Sequence, residues 1–353
     1  MLTHPKPIEI AGRPVGPGHP CFIIAEAGVN HNGQIDLARQ LVEAAAKAKA
    51  DAVKFQTFRA DRLVTPMAAK ARYQQGKTPA DESHLEMIRR LELSPEAHIE
   101  LMDLSRRSGI LFLSTPFDEE SADFLESLGV AAFKLPSGEV TNHRLLRHVA
   151  RKSKPIILST GMCNLGEVES AVRAIDSEGN CNLVLLHTVS NYPAEPSDVN
   201  LRAMQTMASA FQKLVGYSDH TLGIEVPLAS VALGACVVEK HLTLDKSLPG
   251  PDHAASAEPH EFQQLVQSIR CVESALGDGI KTRRASEEDV AAVARRSLTI
   301  ARQMKAGDPI TPTDILIRRP GTGLPPAFAE FVIGRTLRCD AAAGTVLTLE
   351  MLS

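Results

Sequence analysis

Eight short apolar, β-branched runs recur between residues 21 and 242, and each turns polar over its last positions. They are CFIIAEAG (21–28), AVKFQTF (52–58), ILFLSTP (110–116), AAFKLPSG (131–138), PIILSTG (155–161), NLVLLHT (182–188), LVGYSDH (214–220) and CVVEKHL (236–242). Between them lie helical patterns such as IDLARQLVEAAAKAKA, PEAHIELMDLSRRSG, EESADFLESLG, NHRLLRHVARKS, LGEVESAVRAIDSEG, IEVPLASVALGA and EFQQLVQSIRCVESALG, several finishing on Gly. Glycine is the usual residue where a helix end needs a left-handed backbone. Runs apolar on both faces are what a parallel sheet requires when helices cover it. Eight such βα repeats over about 270 residues predict an α/β chain closed into a (β/α)8 TIM barrel, with a doubly wound sheet as the alternative.

In a barrel the C-terminal ends of all strands open onto one face, where active sites are built. Glu26, Lys54, Gln56, Thr115, Lys134, Ser137, Glu139, Ser159, Ser190, Ser218, His220, Glu239 and His241 all fall late in their runs or just after them. His220 and His241 end the seventh and eighth runs. Neighbouring strands lie about 4.8 Å apart, so the two imidazoles could share a metal ion; two hydrogen-bonded core histidines are the alternative. Lys54 and Lys134 sit inside apolar runs, and burying an unpaired ammonium costs several kcal/mol. Such lysines bind an anion such as a phosphate and carboxylate, form a Schiff base, or pair with a structural carboxylate. Glu26 and Glu139 are the carboxylates best placed for proton transfer, with a salt bridge to Lys54 or Lys134 as the competing role. LPGPDHAASAEP (248–259) is a Gly/Pro-punctuated loop that brings Asp252 and His253 either to substrate or to solvent. His187 ends the sixth run and reads as structural.

Near GDGIKTRRASEEDVAAVARRS the βα rhythm stops. Short apolar segments broken by AGDPITPTD, PGTGLPP and CDAAAG then predict a small β-rich domain, too small for a large core of its own. The expected division is a barrel domain over 1–280, a linker over 281–294 and the small domain over 295–353. A net charge of −4 gives no general attraction to nucleic acid or an anionic membrane. Six cysteines are scattered without metal-type spacing. No leader pattern opens the chain and no apolar run spans a bilayer, so the expected location is the cytoplasm.

The motifs IIAEAGVNHNG, VKFQTF, STPFD, KLPSGE, ILSTGM, GYSDHT, VVEKHLT and GPDHAAS, in this order and spacing, resemble the sialic acid synthase family. RRSLTIA, ITPTDILIRRPGTGLPP and GRTL resemble that family's antifreeze-like (SAF) domain, so the resemblance covers nearly the whole chain. It implies an enzyme that condenses phosphoenolpyruvate with an N-acylated mannose-type aldose, giving a nonulosonic acid and phosphate. It further implies that His220 and His241 hold a divalent ion, with Mn2+ first and Mg2+ or Co2+ as substitutes. Lys54, Thr115, Lys134, Ser137, Ser159, Ser190 and Ser218 take the phosphoenolpyruvate positions by the same resemblance. Gln56, Glu139, Tyr192, Asp252 and Arg319 take positions that meet the sugar or assist proton transfer. Arg319 lies in the small domain, which in the family caps the barrel of the other subunit of a swapped homodimer.

One departure bears on the substrate. TVSNYPAEP places Ser190 where neuraminate-forming members carry Asn, as in members that make legionaminic or pseudaminic acid. AKARYQQGKTPADESHLEMIRRLELS is also similar to the legionaminate branch, which implies a 2,4-diacetamido-2,4,6-trideoxymannose before N-acetylmannosamine, with Tyr73 and Gln74 helping to select it. Rival readings are N-acetylneuraminate or pseudaminate synthesis, a Schiff-base pyruvate aldolase using Lys134, and a carbohydrate- or ice-binding protein with an inert barrel.

Overall fold

Alternation along the strands decides this fold. In the computed structural model, which describes residues 5–75, 77–79 and 81–353, a short hairpin of β1 (Ile8–Ile10) and β2 (Arg13–Val15) precedes eight parallel strands. These are β3 (Phe22–Gly28), β4 (Ala52–Thr57), β5 (Leu111–Pro116), β6 (Phe133–Leu135), β7 (Ile156–Ser159), β8 (Leu183–Thr188), β9 (Leu214–Asp219) and β10 (Val237–His241). All eight fall within the runs read from the sequence. They pair in the order β5-β4-β3-β10-β9-β8-β7-β6, and β5 packs against β6, so the sheet curls into a near-closed barrel.

Successive side chains on a strand point to opposite faces. One parity, including Ile23, Val53, Phe133, Leu158, Leu185 and Val238, packs outward against the helices. The other parity, including Ile24, Ala52, Leu113, Ile157, Leu186 and Val237, fills the barrel together with Ile8, Ile10 and Val15 of the hairpin. Two residues further along each inward series the side chains become Glu26, Lys54, Thr115, Ser159, Thr188 and Glu239. The barrel is thus plugged with hydrocarbon at its N-terminal end and charged at its C-terminal end.

The helices begin where a polar side chain satisfies a free amide. Ser94, Asp118, Asn142 and Asn164 accept from the backbone N–H of Ala97, Ser121, Leu145 and Glu167 at the starts of helices Pro95–Arg107, Glu119–Leu128, His143–Ala150 and Leu165–Asp176. Gly129 closes the second of these at φ +83°, as its position predicts. No helix among the described residues is long and apolar enough to cross a membrane.

Several elements differ from the sequence reading. The helices His84–Arg90 and Ala203–Phe211, some single-turn helices and the β1–β2 hairpin went unread, and β6 stops at Leu135 because Pro136 has no N–H for the ladder. Residues Ser137–Glu139 therefore form a 3-10 turn rather than continuing the strand.

Contacts divide the chain into two units, Met1–Gly277 and Asp278–Ser353. The second holds an antiparallel pair, β11 (Ser297–Ile300) and β12 (Ile315–Arg318), with isolated bridges such as Thr299 to Val346 and Leu337 to Leu352. Its own core gathers Leu298, Ile300, Met304, Val332, Leu337 and Leu347. Within 281–294 lies the helix Glu288–Ala294, all but two of its residues exposed.

Candidate active site

At the C-terminal end of the barrel a cavity of about 400 Å³ opens. Its floor is ionic. Lys54 is 2% exposed and Lys134 3%. Lys54 Nζ lies 2.5 Å from Glu26 Oε2 and 3.7 Å from Glu239 Oε1, and donates to Thr115 Oγ1 at 3.0 Å. Lys134 Nζ lies 3.5 Å from the same Glu239 oxygen, to which Ser218 Oγ donates at 3.2 Å. Glu239 Oε2 is buried without a hydrogen-bond partner. Gln56 Nε2 donates to Glu26 Oε1 at 3.4 Å.

Two ammonium groups facing two carboxylates make a balanced quartet inside a low-dielectric barrel. Burial pushes Glu26 up to about 7 against the pull of Lys54. Burial also raises Glu239, but Lys134 and Lys54 together outweigh it and hold that carboxyl below its ordinary value. Lys134 is lowered to about 8, chiefly by burial. An arriving anion finds cations already dehydrated and oriented, with Ser159 Oγ buried beside them and lacking a partner.

The histidines form the adjoining wall. His241 ends β10 and His220 follows β9, and their ring centroids are 5.4 Å apart. His220 Nδ1 bonds the Val189 carbonyl at 2.6 Å, which assigns its proton to Nδ1 and leaves Nε2 as a lone-pair donor. His241 Nδ1 is buried with no partner. Burial lowers His220 to about 4 and drives His241 well down, with His220 as the next cause for the latter. Both rings are therefore neutral at pH 7, the form that binds metal. Two adjacent neutral imidazoles, one with an orphaned nitrogen, fit a shared divalent cation. No group of three His, Cys, Asp or Glu able to hold a metal occurs among the described residues, so such an ion would keep positions open for water and substrate.

Tyr192 packs its ring 4.0 Å from His220 and 5.5 Å from His241, and Tyr73 stacks on Tyr192 at 4.9 Å. Asp252 arrives on the loop after β10, buried, and burial raises its carboxyl to about 6. The loop is pinned by Asn30 Nδ2 to Ser256 Oγ (2.8 Å), Ser256 Oγ to the Asp252 carbonyl (2.7 Å), and His253 Nδ1 with Thr243 Oγ1 (2.7 Å).

Of the residues singled out in the sequence, Glu26, Lys54, Gln56, Thr115, Lys134, Ser137, Ser159, Ser190, Tyr192, Ser218, His220, His241 and Asp252 line this one cavity, with Tyr73 and Gln74. Glu139 does not line it. It sits in the turn after β6, half-buried, where its carboxylate accepts from Asn142 Nδ2 at 2.7 Å. Arg319 is exposed just after β12 in the second unit. His187 bonds the Val199 carbonyl at 2.5 Å, a structural contact. Glu239 and Thr188 are the polar wall residues that the sequence reading left without a role. Thr188 Oγ1 lies 3.4 Å from His220 Nδ1, and the inward parity of β8 and β10 marks both residues.

Residues 41–281 match the NeuB family and residues 295–353 match the SAF domain. The N,N'-diacetyllegionaminic acid synthase of Legionella pneumophila is 52% identical over 342 residues, 96% of this chain and 96% of that protein. Mouse N-acetylneuraminate-9-phosphate synthase is 38% identical over 78% of this chain and 77% of its own length. Among solved structures, the N-acetylneuraminic acid synthetase of Leptospira borgpetersenii, in complex with citrate, aligns with a TM-score of 0.72 at 34% identity, covering 82% of this chain and 96% of that one.

Proposed function

The chain belongs to the NeuB family and carries a SAF domain, and on that footing we propose that it is a phosphoenolpyruvate-dependent synthase of the N,N'-diacetyllegionaminate type. It condenses phosphoenolpyruvate with 2,4-diacetamido-2,4,6-trideoxymannose and water, yielding the nonulosonic acid and inorganic phosphate. The observation that carries the reading is one cavity holding two buried lysines beside two neutral imidazoles. The identity to the Legionella pneumophila synthase supports the choice of aldose.

Lys54 and Lys134 neutralise the carboxylate and phosphate of phosphoenolpyruvate, and Thr115, Ser137, Ser159, Ser190 and Ser218 offer hydroxyls to its oxygens. His220 and His241 would hold a divalent ion, Mn2+ first, which when bound polarises the carbonyl of the open-chain sugar as a Lewis acid. The enol carbon then forms the new C–C bond to the aldehyde carbon, and the former carbonyl oxygen takes a proton. Water adds at the carbon bearing the phosphate, and C–O cleavage releases phosphate and leaves the 2-keto acid. Glu26, which burial keeps near neutrality in its titration, is placed to exchange the protons that these steps move. Gln56, Tyr73, Tyr192 and Asp252, which line the same cavity, are assigned to the aldose. Arg319 is assigned to the aldose of a partner copy in a swapped homodimer.

A lysine lowered to about 8 would also serve an imine mechanism, so Lys134 gives the aldolase reading its one supporting observation. Phosphate release from phosphoenolpyruvate, measured against a panel of acylated mannoses with product masses, tests the proposal. The expected result is stoichiometric phosphate with the diacetamido-trideoxy sugar and loss of turnover in chelator. Turnover of pyruvate that survives chelator and is trapped by borohydride would overturn it.

A further inference from the structure

His220 and His241 are each preceded by a residue that faces the other way. Alternation turns the rings into the barrel and sends Asp219 and Lys240 out through its wall. There the two are sealed, Asp219 at 1% and Lys240 at 2% exposure. They are lateral neighbours in the β9–β10 ladder, and Lys240 Nζ pairs with Asp219 Oδ2. Lys240 Nζ also donates to the Thr221 carbonyl at 2.7 Å. Asp219 Oδ1 accepts from Thr221 N at 3.0 Å and Thr221 Oγ1 at 2.8 Å. His220 is therefore bracketed by two residues bonded to Lys240, the residue next to His241.

A buried ion pair is a weak source of stability, because desolvation offsets most of the Coulomb gain and apolar replacements are often neutral. Its geometry, by contrast, is tight and directional. We infer that the Asp219–Lys240 pair, tied through Thr221, is a positioning device that fixes the spacing of the His220 and His241 rings and so sets the affinity of the site for a divalent cation. The inference rests on the metal reading above. It makes Asp219, Lys240 and Thr221 positioning residues that touch neither substrate nor ion.

The test uses the full chain carrying Asp219→Leu with Lys240→Met, which removes both charges at similar volume. The double variant also leaves the N–H, hydroxyl and carbonyl of buried Thr221 without these partners, so its metal-stripped form is expected to remain folded but to melt several degrees below the wild type. Its Mn2+ dissociation constant by titration calorimetry is expected to rise about tenfold or more, as for other residues that orient metal ligands. The KM for the aldose should rise while that for phosphoenolpyruvate stays within about twofold. Unchanged Mn2+ affinity in the folded double variant overturns the inference.

Where the double variant fails to fold, Asp219→Asn keeps the size and the Thr221 contacts and should weaken Mn2+ binding about threefold; no weakening overturns the proposal equally. A wild type that turns over without binding Mn2+ would remove the metal reading and this inference with it, whereas a wild type that binds Mn2+ beside a folded variant of equal affinity overturns the inference alone.

Discussion

His31 follows β3, buried, with its Nδ1 accepting from Gly33 N at 3.0 Å, a bond only the unprotonated nitrogen can make. Burial first, then His98 and His253, lower it from 6.5 to about 4. The unfolded chain therefore binds this proton more readily than the folded one. Its contribution to stability is complete above pH 6.5 and is lost as pH falls toward 4, about 2 kcal/mol between pH 7.5 and pH 5. Glu26 has the opposite sign: its raised carboxyl favours the folded state at low pH and loses that advantage as pH rises from 4.5 to about 7. Urea unfolding at both pH values should show His31→Gln with a shallower acid loss than wild type; identical slopes would remove His31 from the account. At this scale the sequence was informative wherever parity governed. Lys54, Lys134 and His241 were legible because a charged or polar residue interrupts an apolar strand on its inward series. Glu139 was placed on a strand that Pro136 had already ended, so its direction could not be read. Glu239 was visible as a late carboxylate, but its bridging of two lysines depends on three strands meeting, which no local pattern encodes.

Elements deliver these residues, and their loops tolerate little. After β7 the chain turns at Gly161, whose N–H donates to Ser137 Oγ at 2.8 Å. A Cβ there would stand 2.3 Å from Ser190 Oγ, 2.9 Å from Thr188 Cγ2 and 3.0 Å from Ser137 Oγ. Gly161→Ala should therefore cost about 1–3 kcal/mol by overpacking and raise the KM for phosphoenolpyruvate through the displaced serines. Because the nearest clash is a single hydroxyl, adding Ser190→Gly should recover part of the thermal midpoint; an undisturbed single variant would show that the three loops do not meet so closely. The eight strands were readable because buried parallel strands are unmistakably apolar over several residues. The helix Ala203–Phe211, AMQTMASAF, was not, since it carries no charged face to contrast with its buried Met204 and Met207. The β1–β2 hairpin has only three residues per strand, below the length at which alternation can be recognised, yet it supplies the plug of the barrel.

For the whole molecule, the proposal divides one active site between two copies of the chain. Each unit has its own buried cluster, so loss of a side chain in one need not unfold the other. His241→Ala removes a metal ligand in the barrel, and Arg319→Ala removes the proposed sugar contact in the SAF unit; each variant alone should have little turnover. Mixed, denatured and refolded at equal concentrations, the two would assemble randomly. In a swapped dimer the hybrid unites an intact barrel with an intact SAF unit at one of its two sites, so roughly a quarter of wild-type activity should return. A chain that contributes its own Arg319 to its own barrel gives no site with both groups, and the mixture would stay as inactive as its components. Phosphate release from the refolded mixture separates these arrangements, and it does so without assuming which acylated mannose is used, because any aldose that the wild type accepts can report it.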